Sequence, residues 1–145
     1  MKTKIYWVTT IILLIFPIFS FCQNSFKVEE GLARYNEAVR AQKAGDFVTA
    51  KAHYQKTMML LGGERPDIMK AVYNNMGVLQ ARMGNTQAAE AAFHAALAID
   101  PDYKEANFNI GVFYGQLGDI EKALFYLTKI LNRTGDFVID GEKKE

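Results

Sequence analysis

The sequence predicts an all-α fold: a solenoid of three stacked helix–turn–helix repeats behind an N-terminal export segment. Three observations predict it. Residues 70–103 and 104–135 overlay at an offset of 34 residues, apolar positions within each copy recur at helical spacing, and a glycine followed by Asn or Asp divides each copy in two.

The N-terminal segment is set apart first. Lys2 and Lys4 precede the apolar run "IYWVTTIILLIFPIF", and small residues follow at Ser20 and Cys22. A basic start, an apolar stretch and small residues three and one before a cut form a secretory signal pattern, so cleavage is expected after Cys22. Two alternatives stay open: retention of Ile5–Phe21 as a membrane anchor, at 17 residues the lower edge of a spanning length, and acylation of Cys22. Pro17 favours the cleaved form, and Phe21 directly before the cysteine disfavours acylation. The expected location is the periplasm or the exterior, with a membrane-anchored form as the alternative.

The remainder, 23–145, is long enough for one domain with its own core. Without Lys2 and Lys4 it carries 15 basic and 16 acidic residues, a balance that does not favour nucleic acid or an anionic membrane as partner. It also has no cysteine, so packing alone must hold it.

Overlaying the two clearest copies puts Met76, Gly77, Gly84, Asn85, Ala89, Phe93 and Leu97 over Ile110, Gly111, Gly118, Asp119, Ala123, Leu127 and Leu131. A weaker third copy lies upstream, where Gly45, Asp46, Ala50, Tyr54 and Met58 match the middle one and "GGERPD" absorbs the extra residues. Tyr73, Met76, Gly77 and Gln80 trace one helical stripe, and Ala89, Phe93, Ala96 and Leu97 trace a second. Between them, glycine stops one helix and Asn85, Asp119 or Asp46 is expected to cap the next. Asp100-Pro101 ends the second helix of the middle copy, because proline disfavours helix in the residue before it.

A helix–turn–helix period of this length, with glycine at the eighth place, Gly-Asn/Asp at the fifteenth and sixteenth, alanine at the twentieth, an aromatic at the twenty-fourth and Asp-Pro near the end, resembles the tetratricopeptide repeat. The middle copy carries Tyr73, Gly77, Ala89, Phe93, Ala96 and Pro101, with Gln80 where the family usually has an aromatic. The last keeps Gly111, Tyr114 and Ala123; the first, residues 31–64, keeps Ala38, Ala50 and Tyr54. The resemblance implies a tetratricopeptide-type α-solenoid. One hairpin cannot bury its apolar face alone, so about three copies must stack.

Catalytic chemistry finds no support. Beyond Cys22 the chain has one serine, Ser25, and no cysteine for a nucleophile. His53 and His94 sit on different second helices, and neither has another histidine, a cysteine or a carboxylate three or four residues further on, which argues against a metal site. Gly62-Gly63 lacks the Lys-Ser/Thr of a phosphate-binding loop. Asn132-Arg133-Thr134 fits the glycosylation acceptor pattern, which arises readily by chance. The expectation is no catalytic residue, metal, cofactor or small-molecule substrate.

The resemblance implies a groove lined by the first helices, with the second, fifth, sixth, ninth, twelfth and thirteenth places pointing into it. The fifth place gives Tyr35, Asn74 and Phe108, the sixth Asn36, Asn75 and Asn109, and the ninth Val39, Val78 and Val112. The asparagines have two readings: they hydrogen-bond an extended peptide, or they tie neighbouring helices together, and the second is the expected one. The family's carboxylate clamp is not matched, since Tyr35, Val39, Glu105 and Asn109 stand at its places.

The function expected is therefore a non-catalytic, exported interaction module or scaffold that takes a protein or peptide segment with hydrophobic anchors in the groove. The alternative is a structural protein that self-associates through its repeat ends. Residues 23–30 are expected to form a lead-in without a helical stripe. Leu124, Leu127 and Leu131 are expected to lie uncovered at the C-terminal end, where Phe137, Val138 and Ile139 of the 136–145 tail would fold back or a second molecule would pack.

Overall fold

A computed structural model describes residues 2–134, with side chains described for 23–131. Six helices follow in order: α1 (Lys2–Lys43), α2 (Phe47–Leu61), α3 (Pro66–Arg82), α4 (Thr86–Ile99), α5 (Lys104–Gln116) and α6 (Ile120–Thr134). No strand occurs among the described residues. They pair as hairpins α1/α2, α3/α4 and α5/α6; α3 also packs on α1 and α2, and α5 on α3 and α4.

The same turn chemistry joins each pair. Gly45, Gly84 and Gly118 take φ of 82°, 78° and 82°, a left-handed conformation that costs glycine little. The amide after each glycine bonds back to the carbonyl five residues earlier, Asp46 to Ala41, Asn85 to Gln80 and Asp119 to Tyr114, at 2.9–3.0 Å. Each glycine amide bonds three residues back, which completes a Schellman closure of the first helix. The second helix is then capped in two of the three turns: Asp46 Oδ1 accepts from the Thr49 amide at 3.0 Å, and Asp119 Oδ1 from the Lys122 amide at 3.1 Å. Asn85 departs from the expected cap, because its Nδ2 donates to Gln80 Oε1 at 2.9 Å. Gln80, buried where an aromatic was expected, gains a polar partner by that bond.

Two core clusters fill the stack. Ala38, Ala50, Tyr54, Val72 and Leu79 join the first hairpin to α3, with Met58 and Met76 packed against them. Ala89, Phe93, Ile110, Phe113, Tyr114 and Ala123 join the second hairpin to the third, where the Phe93 and Phe113 rings lie 5.7 Å apart. The eighth place is small because the helices of a hairpin cross there: a Cβ on Gly77 would stand 2.6 Å from the Phe93 ring. Polar ties reinforce the stack, Lys70 Nζ reaching Asp100 Oδ2 at 2.6 Å and the Tyr114 hydroxyl donating to Glu90.

Three boundaries differ from the sequence-based expectations. Residues 23–30 are helical within α1, not an unstructured lead-in. No glycine or proline interrupts 18–30, and an Arg34–Glu30 pair at 3.8 Å spans one turn there. Helix α3 begins at Pro66, inside the "GGERPD" segment and ahead of the first place of the middle repeat at Lys70, since proline fits the first helical turn. Leu127 is half-buried under Gly111, so it fills its own hairpin, whereas Leu124 stays 57 % exposed. The side chains of residues 1–22, those of Asn132-Arg133-Thr134, and the tail with Phe137–Ile139 lie outside the described residues. Among the described residues no helix is long and apolar enough to cross a membrane.

Candidate functional site

The first helices α1, α3 and α5 present one face, and on it the predicted asparagines form a chain of hydrogen bonds. Asn109 Nδ2 donates to Asn74 Oδ1 at 2.9 Å, Asn74 Nδ2 to Asn75 Oδ1 at 3.4 Å, and Asn75 Nδ2 to the Tyr35 hydroxyl at 3.3 Å. The chain crosses from α5 through α3 to α1. These amides are thus engaged with one another, as the inter-helix reading expects.

Around that chain lie two depressions. The first, about 330 Å³, is lined by Val39, Gln42, Lys43, Tyr54, Asn75 and Arg82, between α1 and α3. The second, about 230 Å³, is lined by Val78, Ala81, Arg82, Phe93, Asn109, Val112, Phe113 and Gln116, between α3 and α5. The valine row therefore supplies one aliphatic wall to the first and two to the second. Neither lining contains a carboxylate, and the charged side chains on them are Lys43 in the first and Arg82 in both.

The nine predicted residues divide by exposure. Val39 and Asn75 meet in the first depression, and Val78, Asn109 and Val112 in the second. Tyr35 is half-buried beside Asn75, its ring tilted on Tyr54 at 6.2 Å. Phe108 is 54 % exposed and Asn36 is exposed, and neither lines a depression. Asn74 is only 4 % exposed, with amide and carbonyl both used, so it supports the face from beneath and is closed to a ligand. Gln42, Lys43, Ala81, Arg82 and Gln116 were not among the nine. The signal for them is positional: they occupy the twelfth and thirteenth places, which the resemblance also directs into the groove.

The face is rigid at its base. The Tyr54 hydroxyl donates to Gln42 Oε1 at 2.8 Å, and burial, with the Tyr35 ring beside it, pushes that hydroxyl well above the ordinary tyrosine range. The histidines take structural positions elsewhere. His53 Nδ1 lies 3.2 Å from Glu37 Oε2 across the first hairpin, and His94 meets the Tyr126 ring edge-on at 6.2 Å. Among the described residues no group of three or more His, Cys, Asp or Glu is placed to hold a metal ion. What the arrangement offers is recognition: aliphatic pockets, amides and two cations.

The comparison with known families agrees with this architecture. The model for the tetratricopeptide repeat matches residues 80–139, from the last turn of α3 across α4, α5 and α6. The match covers the middle turn, its second helix and the following hairpin, the segments whose glycines and small residues set the close crossings. Over residues 80–139 the chain is similar to the tetratricopeptide repeat family, and its all-helical hairpin stack agrees with that similarity.

Proposed function

We propose that the chain is an exported, non-catalytic interaction module whose α1/α3/α5 face takes a segment of another protein. Tetratricopeptide repeats in general mediate protein–protein interaction. One observation carries the assignment to this face: Val39, Val78 and Val112 wall two adjoining depressions whose linings mix aliphatic and aromatic side chains with amides and cations and contain no carboxylate. A partner segment with an aliphatic or aromatic anchor for each depression fits that lining. Export is supported by Lys2 and Lys4, the apolar run after them and the small residues Ser20 and Cys22. N-terminal sequencing of secreted material checks it, with Gln23 as the expected first residue.

The deciding experiment is a pull-down from the native envelope fraction with the parent chain and with Val78→Glu. The variant puts an unpaired charge against the anchor and should cost on the order of 2–4 kcal/mol of binding. Lys129→Glu is the control. Lys129 lies over the Phe125 ring at 4.6 Å on α6, outside both linings. Retained capture by Val78→Glu together with loss by the control would move the partner to another face.

A second reading, self-association through the repeat ends, is favoured by Ile120, Leu124 and Phe125, which are 60 %, 57 % and 56 % exposed on α6. Sedimentation over a range of concentrations separates the two, because a monomer throughout counts against assembly.

A further inference from the structure

Arg82 belongs to both depressions, and Lys43 reaches into the first. Elsewhere the fold pairs many of its cations: Arg34 with Glu37 at 2.8 Å, Arg65 with Asp67 at 2.7 Å, Lys70 with Asp100 at 2.6 Å and Lys122 with Asp119 at 3.1 Å. Among the described residues no carboxylate pairs with Lys43 or Arg82. A basic residue in the last turn of a helix is favoured by the helix dipole, and both residues hold such a position. The dipole is served anywhere around that turn, however, and does not account for two cations converging on one depression between two helices. The third hairpin has the neutral Gln116 at the equivalent place, so the positive charge is confined to the α1/α3 side.

We propose that the segment bound on this face carries one aspartate or glutamate side chain between its two apolar anchors, and that Arg82 and Lys43 share its carboxylate. The inference rests on the docking reading above and specifies its chemistry. Arg82 stands on the border of the two depressions, so a carboxylate on its guanidinium falls between side chains seated on Val39 and on Val78 and Val112. The guanidinium fork suits a carboxylate in two parallel hydrogen bonds, and the Lys43 ammonium adds a second charge. A run of acidic residues fits less well, because further carboxylates would lie unpaired against the valines. The contact selects the sequence more than it strengthens binding, since both cations are exposed to solvent.

The test selects binders from a random-peptide display library on the full chain, then measures one selected peptide, synthesised with an amidated C-terminus so that its only carboxylates are side chains. The expected peptides carry one Asp or Glu flanked by aliphatic residues. Arg82→Gln should weaken the peptide by about tenfold, and Asp→Asn or Glu→Gln in the peptide should weaken it at least as much, because it also releases Lys43, with the two losses short of additive when combined. Added salt should weaken the parent pair more than it weakens Arg82→Gln, where Lys43 alone still faces the carboxylate. Because the peptide can be changed without touching the protein, misfolding of a variant does not blur the answer. Peptides that lose binding to Val78→Glu but lack an acidic residue, or ignore Arg82→Gln, overturn this inference and leave the docking reading standing. Peptides indifferent to Val78→Glu overturn both.

Discussion

Asn109 on α5 donates its side-chain amide to the side-chain carbonyl of Asn74 on α3 at 2.9 Å, beneath the face that carries the valine row. The bond joins residues from successive repeats, and Asn74 passes the link on to Asn75 and so to Tyr35 of the first. Apolar contacts along a repeat stack are tolerant of sliding. A directional bond between side chains fixes the register of one hairpin on the next, which in turn fixes the shape of both depressions.

Replacing Asn74 by alanine should therefore destabilise the chain by about 1–3 kcal/mol, since it leaves the Asn109 amide without its buried acceptor. Denaturant unfolding measures it. In a double-mutant cycle with Asn109→Ala the two losses should fall short of additive by at least about 0.5 kcal/mol. Full additivity would show that the bond contributes nothing beyond its two separate residues.

Gly77→Ala places a methyl group 2.6 Å from the ring of Phe93, a side chain that is 1 % exposed and cannot swing aside. Overpacking of this kind costs about 1–3 kcal/mol. Pairing it with Phe93→Leu, the residue type found at Leu127 in the next repeat, should recover part of the loss. Thermal melting of the three variants decides the point.

The turn glycines act through backbone conformation alone, for a Cβ at Gly84 or Gly118 meets nothing within 4 Å. Gly84→Val or Gly118→Val should nevertheless lower stability by about 1–2 kcal/mol, because φ of 78° and 82° strains a branched residue. A melting temperature equal to the parent's would mean that the turn rearranges at no cost.

Phe108 is the large apolar side chain most exposed on α5, at 54 %. It makes no core contact, so Phe108→Ala should leave helicity and melting unchanged. If a partner extends past the second depression, its binding should weaken by roughly 1–3 kcal/mol by calorimetry. No change would confine the footprint to the two depressions.

Alkaline pH should destabilise the fold through its tyrosines. Burial pushes the Tyr103 hydroxyl up to about 12, with Glu105 adding to the effect, and burial raises Tyr54 further. A folded value above the unfolded one gives a stability contribution that is complete below pH about 10 and is lost as pH rises through the folded value. The melting temperature should fall from about pH 10 upward, less steeply in Tyr54→Phe and Tyr103→Phe. Parallel curves for parent and variants would assign the alkaline fall to other groups.

The sequence by itself determined the period, the helix pairs and the turns. Their signals are local: a glycine that must take positive φ, an Asn or Asp after it, a proline after Asp100, and apolar stripes at helical spacing. It also chose the valine row, because the ninth place repeats with the helix. Tertiary structure alone decided the rest. Whether Asn74 faces a ligand or a neighbour depends on where α5 lies against α3, a relation between residues 35 apart in the chain. The turning of Leu127 under Gly111 of its own hairpin depends likewise on packing between two helices, whereas the Gln80–Asn85 bond and the helical 23–30 rest on local features that apolar stripes do not reveal. Arg82 shows the same limit most plainly. In the sequence it is a basic residue ending a helix, and only the packing of α1 and α5 on either side of α3 makes it the border of two depressions.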